Sequence, residues 1–209
     1  EVVSSALGFN TVAINLFRHA EGDFQVVSVH GNEAARVALL GSIRTADSWK
    51  PLLAERYHRR GAYLIPHDEA PDWTALHSFV PDFPVGAEPD SWHPEDALFA
   101  PMRGSDGEIL GVISVDEPVS GLRPGDDELE LLVAFAQHVA AALEGARAAA
   151  AAARDRAALA RLLDVSASLV ELESVDCVLD AVADGIQEAL EFEKVAVCLI
   201  DTTGAVVPA

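Results

Sequence analysis

The sequence predicts an α+β fold, in which an antiparallel sheet is flanked by helices and followed by a long linker helix. Three observations predict it. β-favouring runs occur in pairs joined by turn residues, at 10–17 with 24–30 and at 97–103 with 108–116. Helix-forming stretches fall between the pairs rather than alternating with single strands, which favours an antiparallel sheet over a doubly wound parallel one. From 124 to 172 the chain is nearly all helix former, interrupted after its opening Pro124-Gly125 only by Gly145.

The first pair is separated by His19-Ala20-Glu21-Gly22-Asp23 and reads as an antiparallel hairpin with a longer loop. NEAARVALLG, 32–41, suits a short helix closed by Gly41. A second helix is predicted over 48–59, opened by Ser48, with Trp49, Leu52, Leu53 and Tyr57 on one face and Pro51 in its first turn. AYLIP, 62–66, reads as a strand. Residues 66–96 are rich in Pro, Asp and Trp without a clear period, and a loop of that length inside a compact domain is usually a binding loop or a lid. The second hairpin turns at Gly104-Ser105-Asp106-Gly107, with Gly111 marking a bulge or a close approach.

The long helix opens with Asp126, Asp127 and Glu128, which suit the positive end of its dipole. About 48 residues at 1.5 Å each span roughly 70 Å, too long to be buried in one small domain. Alternating steps of four and three from Leu132 reach Ala136, Val139, Leu143, Ala146, Ala150, Ala153, Ala157 and Ala160, all apolar, as a homodimeric helix pair requires. Residues 148–153 are all alanine and would satisfy any register.

The chain also repeats itself. LGFNTVAINLF, 7–17, aligns with LEFEKVAVCLI, 190–200, with Leu7/Leu190, Phe9/Phe192, Val12/Val195, Ala13/Ala196 and Leu16/Leu199 identical. The polar RHAEG after the first copy is answered by DTTG after the second. The expectation is one complete module and the opening of another, the first beginning inside its own first helix. The second strand, lacking the rest of a sheet, is expected to pair with or be covered by another chain.

Half the residues are apolar, so a sizeable core is within reach, and the net charge is −20 from 34 acidic and 14 basic residues. That balance repels phosphate backbones and anionic lipid surfaces, so neither nucleic acid nor a membrane is an expected partner. Cys177 and Cys198, both late in the chain, read as small buried apolar residues and supply neither a disulfide framework nor a zinc cluster.

DALFAPMRGSDGEILGVISVDEP, 96–118, followed by SGLRPGDDELELLVAFAQHVAAALEGA, 120–146, resembles the C-terminal half of a GAF domain: a strand ending in Pro, a Gly-containing turn, a GV-type strand and an acid-opened, Ala-rich helix. The resemblance implies a GAF-like sensor domain over 1–146, a helical linker over 147–172 continuing the terminal helix, and the truncated start of a second such module over 173–209. It further implies a cytoplasmic regulatory module with a small-molecule pocket on one face of the sheet, a homodimer through the helix 124–172, and a downstream output domain. The ligand of this chain stays unidentified. Cyclic-nucleotide-binding members carry an Asn-Lys and a downstream Phe before Asp-Glu; here there is no Asn-Lys, Leu122 stands at the Phe-like position and Asp126-Asp127 replace the acidic pair. Covalent bilin attachment and thiolate-dependent methionine sulfoxide reduction both need a cysteine, and residues 1–146 contain none.

Residues 63–99 concentrate Tyr63, His67, Trp73, His77, Phe79, Phe83, Trp92, His93 and Phe99. An aromatic-lined pocket with a few polar groups is the usual form of a small-molecule site, and Tyr63, His67, Phe79, Trp92, Phe99 and Ser114 are the predicted ligand-binding residues. The same aromatics would equally cover the sheet with no ligand, which makes a structural dimerisation module with a vestigial pocket the alternative. His67 with Asp68 and Glu69, and His93 with Glu95 and Asp96, offer metal-ligand types, and His67, His77 and His93 offer haem-ligand types, but loop histidines beside carboxylates are generally solvated. Ser114 and Asp116 form no nucleophile motif, and Gly104–Gly107 lacks the Lys-Ser/Thr of a phosphate-binding loop, so no enzyme activity is expected.

Overall fold

The computed structural model describes residues 7–73, 78–169, 174–190, 193–200 and 206–208. The chain divides into two compact units, Glu1–Glu144 and Gly145–Ala209.

The first unit is built on a sheet whose strands are β1 (Phe9–Arg18), β2 (Asp23–His30), β3 (Ile43–Thr45), β4 (His58–Arg59), β5 (Ala62–Ile65), β6 (Ala97–Arg103) and β7 (Ile109–Pro118). These seven antiparallel strands lie in the order β3-β2-β1-β7-β6-β5-β4. Both expected hairpins are present. The first carries a bulge between Ile14 and Asn15, which pair with Ser28 and Val26 and leave Val27 outside the register. A third, tight hairpin joins β4 to β5 through Arg60 and Gly61, whose φ values of 51° and 91° match a two-residue turn of the type that follows strand twist.

The expected first helix is helix α1, Glu33–Leu39, with the Asn32 carboxamide accepting from the N–H groups of Ala34 and Ala35. Gly41, at φ +81°, reverses the chain after it. The second expected helix is not continuous. Helix α2 covers only Ala46–Trp49, a 3-10 turn follows at Glu55–Tyr57, and His58 already belongs to β4. Pro51 explains the break, since it has no N–H for the Asp47 carbonyl and its ring crowds that oxygen. Trp49, Leu52 and Tyr57 nevertheless share one buried cluster with Phe24, Tyr63, Trp73 and Phe99.

Helix α3, Asp126–Leu169, begins two residues after the expected start. Its entry is fixed by the Gly125 N–H donating to the Glu128 carboxylate at 2.8 Å, the half of a capping box that a glycine permits, and by the first helical bond, from the Leu129 N–H to the Gly125 carbonyl at 3.1 Å. Leu129, Leu132, Ala136 and Ala140 are buried against Val12, Leu98, Ala100, Met102, Ile113 and Val115, with Val139 and Leu143 packed on the same cluster. The expected helix-pair seam divides in two here. Its first half, Leu132 to Leu143, seats the helix on the sheet, and within this chain only Ala146, Ala150, Ala153, Ala157 and Ala160 remain exposed. By length and composition alone the stretch Asp126–Asp164 would suffice to cross a membrane, yet its first four turns are the lid of the sheet.

In the second unit, helix α4 (Val175–Leu190) precedes strands β8 (Cys198–Ile200) and β9 (Val206–Pro208), which pair antiparallel. Within the described residues the strand of the second copy covers Cys198–Ile200 and pairs on one edge with β9. Cys177 and Cys198 are exposed rather than buried, β8 and β9 being the strands of this unit among the described residues. The expected truncated first helix (1–6), the linker end at 170–172 and the DTTG turn lie outside the described residues.

Candidate functional site

Side-chain alternation gives the sheet two unlike faces. β1 sends Val12, Ile14 and Leu16 toward α3 and Thr11, Ala13 and Asn15 into a cavity on the opposite side. β7 divides likewise, with Ile113 under the helix and Ser114 and Asp116 at the cavity. The cross-strand register places Phe99 beside Ser114, Ser114 beside Ala13, Asn15 beside Val26 and Phe24 beside Arg44, so all share that second face.

The cavity measures about 80 Å³ and is closed by Leu39 of α1, by Arg44 and Trp49 of the β3–α2 segment, and by Trp73, Phe79, Pro94 and Asp96 of the long loop. Three predicted residues, Phe79, Phe99 and Ser114, meet in its wall. The other three lie elsewhere. Tyr63 packs in the aromatic cluster with Trp49 and Phe99. Trp92, 1% exposed, belongs to the cluster under α3 and edges a separate surface groove with Phe83 and Glu117. His67 sits on the loop surface, its ring stacked on that of His93 at 4.2 Å. His77 lies outside the described residues. Sequence reasoning missed Thr11, Asn15, Arg44 and Trp49 as cavity residues.

The polar groups of the wall are partly spent on each other. The Asn15 carboxamide N–H donates to the Val112 carbonyl at 3.0 Å and to Ser114 Oγ at 3.1 Å. Thr11 Oγ1 donates to Glu117 Oε2 at 2.9 Å, and Glu117 holds a positive φ of 54°. Asp116 Oδ1 accepts from Trp92 Nε1 at 2.8 Å and from the Glu117 N–H at 2.7 Å. Burial outweighs those two bonds and pushes the Asp116 carboxyl up to about 7.

Asp96, whose side chain is fully buried, is the opposite case. Burial alone would raise it, but the Arg123 guanidinium, both of whose bonds are 2.9 Å, and the N–H groups of His93 and His67 hold it below the usual carboxylate range. This fork ties both ends of the long loop to the segment leading into α3. It also uses up the Asp96 oxygens, and among the described residues no group of three or more His, Cys, Asp or Glu side chains is placed to hold a metal ion.

Donors without a partner among the described residues include the Arg44 guanidinium and the Trp49 indole. Arg44 has no hydrogen bond or ion pair among the described residues, and burial lowers its pKa with no carboxylate opposing the shift. Trp49 Nε1 is buried without an acceptor.

A GAF-domain family model matches residues 1–143. The chain belongs to the GAF-domain family. Solved structures are similar to it to differing degrees. The GAF domain/HD domain protein of Geobacter sulfurreducens is 14% identical, with 69% of this chain and 86% of that one covered at a TM-score of 0.50. A two-component sensor histidine kinase domain of Sinorhizobium meliloti is 19% identical over 72% of this chain and 89% of that one, at 0.47. The second GAF domain of DevS from Mycobacterium smegmatis is 16% identical over 70% and 88%, also at 0.47. No curated protein matches the chain. The cavity is small, about 80 Å³ against the roughly 300–1,000 Å³ usual for ligand pockets.

Proposed function

We propose that this chain is a regulatory signal-transduction module that senses a small molecule in the sheet cavity and relays its state through α3 to a downstream output domain. In this reading 1–146 is the sensor, 147–172 the helical linker and 173–209 the start of a second module. The protein works in the cytoplasm as a homodimer through the helix 124–172, without nucleic acid, membrane or catalytic step. The observation that carries the reading is the interleaving on β7, where Ser114 faces the cavity while its neighbours Ile113 and Val115 pack in the cluster under α3. A ligand that moves Ser114 moves the seat of the helix with it.

The test is a thermal-shift screen of the intact protein against metabolites, with native mass spectrometry of the purified protein. A ligand that binds the native state raises the midpoint, by about 2.7 kcal/mol of stability at a hundredfold excess over Kd. No shift and no retained molecule would overturn the sensing reading. The small cavity volume favours a second reading, a dimerisation module whose pocket is vestigial. There, ending the chain at residue 146 abolishes dimerisation while the fold survives, and a monomeric intact chain at high concentration in sedimentation would sink it.

A further inference from the structure

The residues lining the cavity include donors that lack an acceptor among the described residues. Arg44 brings a guanidinium with no partner among the described residues. Trp49, 3% exposed, brings an indole N–H that is buried without an acceptor. Ser114 Oγ accepts from Asn15, which leaves its own O–H free of any acceptor among the described residues. A buried donor without an acceptor costs about 1–3 kcal/mol, and a desolvated guanidinium without a counter-charge costs more. Each is matched by the same thing, an anionic acceptor.

We propose that the cavity binds a small monovalent carboxylate, held by Arg44 and the Trp49 indole N–H and oriented by Ser114. This rests on the sensing reading above and specifies its ligand class. A guanidinium presents its N–H groups in a planar fork that a carboxylate fills with two parallel bonds. Charge sets the valence: among the described residues Arg44 is the unpaired cation of the lining, Asp96 being balanced by Arg123, so a single negative charge is neutralised there while a dianion would keep one charge uncompensated. Size sets the carbon skeleton. About 80 Å³ is several times the roughly 10–15 Å³ that one water needs in a cavity, room for a carboxyl and a short chain. Val26, Leu39, Phe79 and Phe99 supply apolar wall for that chain. So few atoms cannot bind tightly, and the ceiling per non-hydrogen atom puts Kd in the micromolar range at best.

The experiment is thermal-shift and calorimetric titration of the intact protein with formate, acetate, propionate, lactate and pyruvate. Phosphate, sulfate and matched sodium chloride serve as controls. The expected result is a saturable rise in midpoint with at least one monocarboxylate and none with phosphate. Arg44→Gln abolishes it, Arg44→Lys retains it in part, and Trp49→Phe, which keeps the ring and removes the N–H, weakens binding about tenfold. If Arg44→Gln fails to fold by circular dichroism, Trp49→Phe carries the test. A rise that is linear in concentration and equal to that of chloride overturns the proposal, as does a carboxylate response unchanged in Trp49→Phe. A saturable ligand of another chemical class would overturn the carboxylate assignment and leave the sensing reading standing, whereas no ligand of any class overturns both.

Discussion

Trp92 donates its indole N–H to Asp116 across 2.8 Å, joining the end of the long loop to the cavity strand through a carboxyl pushed up to about 7. The Asp116 proton is thus bound in the native state and absent from the unfolded chain between pH about 4 and 7. Because the native state binds more protons there, stability falls as pH rises through that window and levels off above it. Asp116→Asn keeps an acceptor for Trp92 and removes the titration. Urea melts at pH 5.5 and 8 should show a loss on the order of 2 kcal/mol or more in the parent protein, and a flat response from this group in the variant. Equal slopes in the two proteins would contradict the assignment.

Arg123→Ala strips a fully buried carboxylate, Asp96, of its counter-charge. Stability should drop by about 3 kcal/mol at neutral pH. Asp96 is a carboxyl with a depressed native pKa, so its contribution is present above its unfolded pKa and is lost as pH falls through the native one. The penalty of the variant should accordingly shrink in acid. A loss that stays constant down to pH 3 would show that packing, not charge, is what Arg123 provides.

Gly111→Ala places a methyl group 2.4 Å from the Asn15 carbonyl oxygen and 2.4 Å from Met102 Cε. The Met102 chain can turn away, but the backbone oxygen cannot, so β1 and β7 must separate locally. A destabilisation of about 1–3 kcal/mol is expected, read as a lower thermal midpoint. Gly107→Ala makes the comparison, since its added Cβ meets nothing within 4 Å and any cost there comes from its positive φ alone.

Both cysteines should react in the folded protein. Cys177 and Cys198 are exposed, so a thiol reagent without denaturant should label both at rates near those of the unfolded chain. Protection of either would show that a further chain or module covers the second unit.

The hairpins were legible because their residues alternate with period two and their turns carry Gly, Asp and Ser. The helix over 48–59 was misread because its apolar spacing was helical. The side chains did reach one cluster, but Pro51 broke the backbone that was to carry them. The heptad steps from Leu132 were equally real and served a different partner, since a stripe that fits a second helix also fits a sheet. At the site, Phe99 and Ser114 announced themselves by lying in strongly patterned strands. Thr11 and Asn15 could have been found, being polar residues four apart on one face of an otherwise apolar strand. Arg44 could not, because a three-residue strand has no period, and its position follows only from pairing with Phe24.

The alternation along β7 bears on how the protein can change over time. From Val112 to Asp116, the positions that shape the cavity and the positions that seat the helix are interdigitated one by one along the same few codons. A saturation scan of this strand should produce a two-beat record, intolerant of polarity at 113 and 115 and permissive at 114. Specificity can therefore drift while transmission is preserved, provided changes arrive singly. An insertion or deletion of one residue would exchange the two roles at every position at once.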